Sequence, residues 1–239
     1  MMATASIDPS GPERHASSDD AVDAPADPRQ RVVVRVWMPD RPGALGLVAS
    51  RIGAARGDVV GIDVLEHGAG QVVDELTVEL PAGDLIGLMT DEIAAVDGVS
   101  VEHVRAIEPD RVDPSLATLA AATEIAETEP EQRGAVLVAA ALAALEADWA
   151  VLHDGERVLE SALGADGGDG GGIDAAWIAA FVAGSDHLDG RNVDGPSDLV
   201  WSRLGGHRLT LLAGRNGRPI HARERERLDL LSRLADALL

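Results

Sequence analysis

The alternation of apolar and polar residues changes repeatedly between residues 31 and 109, and each change predicts a new element. Residues 31–38 alternate as a strand does, with one side formed by Val32, Val34, Val36 and Met38. Apolar residues then recur with helical spacing at Leu45, Val48, Ala49 and Ile52. The same two patterns repeat further along, and they predict strands at 59–66, 71–80 and 99–107 and a helix at about 84–96.

The resulting βαββαβ order predicts an α+β domain of the ferredoxin-like, split βαβ type. Each helix has one apolar stripe, so both helices must cover the same face of a four-stranded antiparallel sheet. Along 71–80 the apolar residues Leu76, Val78 and Leu80 are expected to point inward. The alternate positions Glu75, Thr77 and Glu79 are expected to point outward.

The second half of the chain predicts another antiparallel sheet flanked by helices, in the order α-ββ-α-ββ-α. Two strands joined at Asp154–Gly155 follow a helix at about 136–145, and a glycine-rich loop "GADGGDGGG" comes next. The last helix has a buried side formed by Leu228, Leu231, Leu234, Ala235 and Leu238. We therefore expect a disordered acidic tail, an N-terminal domain, a linker with a short helix and a C-terminal domain, at 1–30, 31–109, 110–130 and 131–239.

Charge and composition narrow the classes of partner. The formal net charge is −21, which disfavours nucleic acids and anionic membrane surfaces. There is no cysteine, so disulfides and thiolate chemistry are excluded. The longest apolar run, at 134–145, is too short to span a bilayer, and the first residues lack a signal-peptide pattern. These features predict a soluble cytoplasmic protein.

The stretch "PDRPGALGL" predicts a tight turn that leads directly into a helix. Asp40 is expected to cap the helix, and Pro42 to lie in its first turn. Gly43 has no side chain, so a ligand can approach the backbone closely. The amides of Gly43, Ala44 and Leu45 would lie at an electropositive helix N-terminus that favours a carboxylate. Arg41 beside the turn could add positive charge.

The stretch "MPDRPGALGLVASRIGAARGDVVGIDV", within residues 31–109, resembles the ACT family of small-molecule-binding regulatory modules. The resemblance implies an amino-acid site, with Asp58 at the start of the next strand contacting the ligand's ammonium group. It also implies a homodimer through side-by-side sheets, with ligands at the interface. The expected ligand-binding residues are Asp40, Arg41, Pro42, Gly43, Ala44, Leu45 and Asp58.

The second domain resembles a small GAF-type sensor module. The likeness lies in its opening apolar helix and its closing "LTLLAGRNGRPIHARERERLDLLSRLADAL". The domain is short for that family, and no ligand-contacting residues are assigned in it. Its terminal helix could instead serve dimerisation or belong to an ordinary core.

No cofactor, metal site or catalytic residue is predicted. The sequence shows no nucleophile elbow, P-loop or dinucleotide fingerprint, and its histidines lack zinc-binding spacing. The segment 166–174 resembles one calcium repeat, although a flexible loop explains it better. A regulator that senses an amino acid is the first hypothesis. A ligand-free scaffold that dimerises or docks on an enzyme or regulator is the alternative, and an unfamiliar enzyme in the second domain is the third.

Overall fold

The computed structural model describes residues 29–164, 174–185, 198–206 and 208–239. It contains two four-stranded antiparallel sheets with helices packed against them, an α+β architecture as the sequence predicts. The predicted acidic tail, apart from its last two residues, lies outside these ranges. The glycine-rich loop at 164–172 and the calcium-like pattern at 166–174 also lie outside these ranges, apart from Gly164 and Asp174.

The first domain has the predicted βαββαβ order. The sheet order is β2-β3-β1-β4, with all neighbouring strands antiparallel, which is the ferredoxin-like arrangement. Its elements are β1 (Gln30–Pro39), α1 (Ala44–Ala54), β2 (Asp58–Gly68), β3 (Gln71–Leu80), α2 (Leu85–Ala94) and β4 (Ser100–Ile107).

The core of this domain lies between one face of the sheet and the two helices. The inward-facing residues predicted for β1 and β3 are all buried, because alternate positions of a strand share one face. Val48 and Ile52 of α1 and Met89 and Ile93 of α2 complete the core. Leu88 of α2, in contrast, is 47% exposed.

The second domain is built around the sheet order β6-β5-β8-β7. A 3₁₀ turn, Pro130–Gln132, precedes its second helix. Its elements are α3 (Pro114–Glu127), α4 (Arg133–Leu145), β5 (Trp149–His153), β6 (Val158–Leu163), α5 (Ala175–Ser185), β7 (Leu199–Leu204), β8 (Leu209–Gly214) and α6 (Ala222–Leu238).

Both faces of the second sheet are covered. Helices α3, α4 and α6 form the larger core on one face, and Ile125 of α3 is fully buried within it. Helix α5 covers the other face, where Ile178 and Val182 pack near Trp201. The helix in the segment predicted as a linker therefore packs in the core of the second domain.

The outward face of the first sheet is not left to solvent, because α6 of the second domain packs across it. Arg35 of β1 is only 3% exposed and Glu75 of β3 only 4% exposed. Glu75 points away from the core of the first domain, as predicted. It does not reach solvent, however, because the second domain covers this face. Ionic side chains on this face join the two domains.

Within the described ranges, no helix combines the length and the apolar character needed to cross a membrane.

Candidate functional site

The predicted turn between β1 and α1 is tight, and hydrogen bonds fix both its ends. The amide of Asp40 donates to the carbonyl of Gly70 at 3.0 Å, and the amide of Leu47 donates to the carbonyl of Gly43 at 3.1 Å. The N-cap residue of α1 is Gly43, in the left-handed region at φ 89°, and no side chain caps the helix. The prediction that Asp40 caps α1 is therefore wrong, and Pro42 precedes the helix rather than lying in its first turn.

The amides at the start of α1 are only partly available to a ligand. The amide of Ala44 donates to the carbonyl of Arg41 at 3.2 Å, so one of the three predicted donors is already occupied. The amides of Gly43 and Leu45 have no acceptor among the described residues. A Cβ added at Gly43 would meet no described heavy atom within 4 Å, so the space in front of the turn is open.

A small open depression of about 170 Å³ lies beside this turn. It brings together four of the predicted site residues, Asp40, Arg41, Ala44 and Leu45. The walls also include residues of β1, β2 and β3, namely Met38, Pro39, Val64, His67, Val72 and Asp74. The depression is smaller than the roughly 300 Å³ at which drug-sized pockets begin, so it suits a small metabolite.

Asp74 is the residue of this depression that sequence reasoning missed. It is 4% exposed, and its Oδ1 atom is buried with no hydrogen-bond partner among the residues the structure describes. It lies opposite Val36 on one side and Val64 on the other, in the middle of the sheet. Asp74 could have been identified from the sequence, because it lies two and four positions before the inward residues Leu76 and Val78 and so falls on the same face of β3.

The surroundings of Asp74 oppose its ionisation. Burial raises the pKa of Asp74 above its usual value, and the nearby carboxylates of Asp40 and Asp63 raise it further. His67 acts in the opposite direction. The His67 Nδ1 atom lies 3.7 Å from the Asp40 Oδ2 atom, and both side chains are largely exposed. The carboxyl group of Asp74 therefore holds its proton to a higher pH than an exposed aspartate does.

Asp58 does not belong to this depression. It is paired with Glu79 at the start of β2, whereas Pro39, next to the turn, is paired with Gln71. Gln71 and Glu79 lie eight positions apart on β3, a distance of about 27 Å along the strand. The prediction that Asp58 lies near the turn is thus wrong within one chain, because α1 carries the chain back to the opposite end of the sheet.

The second notable cluster is a buried ionic network between the two domains. The Arg35 Nε atom contacts the Glu75 Oε2 atom at 2.8 Å, and its Nη2 atom contacts the Glu224 Oε1 atom at 2.8 Å. Arg215 binds both carboxylate oxygens of Glu224, at 2.8 and 2.7 Å. Burial alone would raise the pKa of Glu224, but Arg35 and Arg215 together lower it to about 2. Glu224 therefore stays ionised and joins β1 to α6.

The network continues towards the edge of the interface. Arg111 contacts Glu75 at 3.0 Å and Glu146 at 2.9 Å. His221, at the start of α6, lies 2.9 Å from Glu102 through its Nε2 atom, and Glu102 also accepts a hydrogen bond from Trp37. These contacts neutralise charged groups at the interface between the domains. None of these contacts pairs a nucleophile with a base.

In the part of the chain that the structure describes, no three His, Asp or Glu side chains converge so that they could hold a metal ion. His67, with Asp40 and Asp74, therefore does not form such a group, although all three line the same depression.

Comparison with known proteins finds no matching family model and no matching curated protein. Among solved structures, the chain is similar to the ACT domain from GTP pyrophosphokinase of Chlorobium tepidum, with 16% identity over 33% of this chain and 99% of that chain and a TM-score of 0.27. It is similar to the C-terminal domain of the MgtC protein from Mycobacterium tuberculosis, with 16% identity over 38% and 100% of the two chains and a TM-score of 0.30.

A third solved structure spans more of the chain. It is a putative glycine cleavage system transcriptional repressor, with 12% identity over 86% of this chain and 91% of that chain and a TM-score of 0.31. ACT domains are thus among the solved structures to which the chain is similar. The GAF-type resemblance of the second domain stays a prediction.

Proposed function

We propose that the protein is a non-catalytic regulator that binds an amino acid or a similar small carboxylate beside the N-terminus of α1. One observation carries the proposal. The amides of Gly43 and Leu45 have no acceptor among the described residues, and Leu45 lines the open depression beside the turn, whereas Pro42 and Gly43 do not. Unpaired amides at the start of a helix favour an anion through their hydrogen bonds and through the helix dipole.

The resemblance to ACT modules supports the same function, because those modules bind small molecules in regulatory proteins. The ligand-binding role of Asp40, Arg41, Ala44 and Leu45 is part of the proposal, and these residues line the depression. Pro42 and Gly43 shape the turn. Asp58 could contribute only if a second copy of the chain brought it to the site, as the interfaces of ACT modules suggest.

The signal would pass through the buried contacts between the domains. Ligand binding at the turn would favour one arrangement of the chain, or of a homodimer, over another. Arg35 and Glu224 link the sheet that carries the site to α6 of the second domain. We further propose that the protein acts in the cytoplasm without a cofactor and does not bind nucleic acid or membranes.

A scaffolding role is the rival proposal, and one feature favours it. Strand β2 lies at an edge of the first sheet, and its residues Val60 and Ile62 are 47% and 53% exposed. Unpaired edges with exposed apolar residues favour association with another chain. A scaffold would dimerise through this edge, and its oligomeric state would be unaffected by any amino acid.

Isothermal titration calorimetry of the full chain against the standard amino acids tests the proposal. We expect at least one to bind, and Gly43→Val to abolish that binding, because a side chain at the turn would block the approach to the amides. Gly155→Val is the matched control, since Gly155 also has a positive φ, 95°, and open space around it, but lies in the second domain.

Each outcome has a definite meaning. Binding that survives Gly43→Val unchanged would show that the site lies elsewhere. No binding of any amino acid at about millimolar concentration would contradict the sensing function and favour the scaffold. Loss of binding in both glycine variants would contradict the assigned site, because a substitution far from the turn would then have the same effect. Circular dichroism would show whether the fold is disrupted in both variants.

A further inference from the structure

We infer that the depression beside α1 selects the zwitterion of a small aliphatic α-amino acid, with Asp74 as the acceptor for its ammonium group. The inference rests on the proposed function and makes it more specific. Asp74 of β3 would then take part in ligand binding, and small carboxylates without an ammonium group would bind poorly.

Asp74 is a buried acid without a partner. A buried carboxylate is normally paired, since burying an unpaired charge is costly, and the residue Asp74 is only 4% exposed. Two other buried acids of the chain, Glu75 and Glu224, are paired with arginines at 2.8 Å. Asp74 has no such partner within the described residues. Its Oδ1 atom is buried without a hydrogen bond there, and the residue is one of those that line the depression. An ammonium group would supply the missing partner.

Groups that suit opposite charges lie at and beside one small space. The amides of Gly43, next to the depression, and Leu45, in its wall, have no acceptor among the described residues and suit a carboxylate. Asp40 and Asp74, which also line the depression, suit an ammonium group. An α-amino acid carries both groups on adjacent atoms. A simple carboxylate would satisfy the amides but leave Asp74 unpaired, and an amine would satisfy Asp74 alone. A site with unmet polar groups discriminates strongly against a ligand that lacks one of them.

The size and lining of the depression limit the side chain that a ligand can have. Met38, Val64 and Val72 contribute apolar walls, and the volume is only about 170 Å³. A large aromatic side chain would exceed this space. An acidic side chain would be repelled by the two aspartates. A small aliphatic side chain is the type that these walls accept.

Calorimetry with a matched pair of probes, L-valine and isovalerate, tests the inference on the full chain. Isovalerate has the same carbon skeleton and carboxylate as valine but lacks the ammonium group. We expect L-valine to bind about tenfold or more tightly than isovalerate, since a charge-assisted hydrogen bond contributes at least this ratio. Asp74→Asn should remove the preference by weakening valine binding, and it should leave isovalerate binding nearly unchanged.

Asp40→Asn is the companion variant, because Asp40 lines the same depression but is exposed. If the preference for valine disappears in Asp40→Asn and persists in Asp74→Asn, the assignment to Asp74 is overturned. Equal binding of valine and isovalerate by the unmodified chain would overturn the inference but leave the carboxylate site of the proposed function intact. Failure of both probes, together with all other amino acids, would overturn both.

A second measurement needs no variant and covers the case in which Asp74→Asn fails to fold. An ammonium group beside Asp74 would favour its ionised form against the effects of burial, Asp40 and Asp63, with His67 already acting in the same direction. Valine binding should then release a proton at pH values above the ordinary pKa of aspartate, about 3.9, and calorimetry in buffers of different ionisation enthalpy would measure the release. Isovalerate should release none. Absence of proton release with valine at every pH of a series that rises from this value would contradict the inference.

Discussion

Arg35, in the middle of the first sheet, and Glu224, in the first turn of α6, form a buried ion pair with 2.8 Å between Nη2 and Oε1. The two residues lie 189 positions apart in the sequence and belong to different domains. Glu224 also accepts a hydrogen bond from the amide of His221 at 2.9 Å, so one carboxylate both caps α6 and fixes it against β1.

Glu224→Gln should destabilise the chain strongly. The substitution removes one negative charge and leaves Arg35 and Arg215 buried without full compensation, which typically costs about 3–5 kcal/mol. Urea unfolding followed by circular dichroism would measure the free energy of unfolding. Glu226→Gln is the matched control, because Glu226 is exposed on the same helix and its loss should change stability by no more than about 0.5 kcal/mol. Equal effects of the two variants would show that the network contributes little.

Acid should weaken the chain through the same residue. Glu224 has a pKa of about 2 in the folded state, below its ordinary value of 4.5. A lowered folded-state pKa contributes stability that is fully present above the unfolded-state pKa and is lost as the pH falls towards the folded-state pKa. Stability should therefore fall between about pH 4.5 and pH 2. Thermal melts of Glu224→Gln across this pH range should show a weaker dependence of stability on pH than the original chain shows. An unchanged dependence would contradict the assignment to Glu224.

Asp74→Asn should stabilise the ligand-free chain at neutral pH. The folded-state pKa of Asp74 is raised, so the acid contributes stability at low pH and loses it as the pH rises through that raised pKa. Removing the charge should raise the free energy of unfolding at pH 7 by about 1 kcal/mol, and the gain should vanish at low pH. Thermal melts at pH 7 and at low pH would check this. Asp58→Asn is the control, because Asp58 is exposed. A loss of stability at pH 7 would mean that Asp74 has a structural role.

Gly43→Ala and Gly46→Ala should have opposite effects on stability. Gly43 has φ 89°, where a side chain costs about 1–2 kcal/mol even though the space is free. Gly46 lies within α1 with no described atom near an added Cβ, so alanine there should stabilise the helix by about 0.5–1 kcal/mol. Chemical unfolding would compare them, and a Gly43→Ala variant as stable as the original chain would contradict the left-handed geometry of the turn.

Part of the site could be predicted from the sequence because a turn and a helix start are local features. The pattern around Gly43 identified the open turn and four residues of the depression. Asp74 could also have been found, since a polar residue at an inward position of an apolar strand is a local irregularity. The position of Asp58 could not be predicted from local pattern, because it depends on the direction in which α1 returns along the sheet.

The sequence by itself determined the α+β class, the βαββαβ order and the helix-covered face of the first sheet. Those properties follow from periodicities of 2 and 3.6 residues, which each segment expresses independently. Only the tertiary structure decided that Arg35 and Glu75 are buried, since their burial arises when α6, more than 140 residues further along the chain, packs on the other face. Charged residues at outward positions look the same in sequence whether they meet water or a second domain, because their partners are distant in the chain.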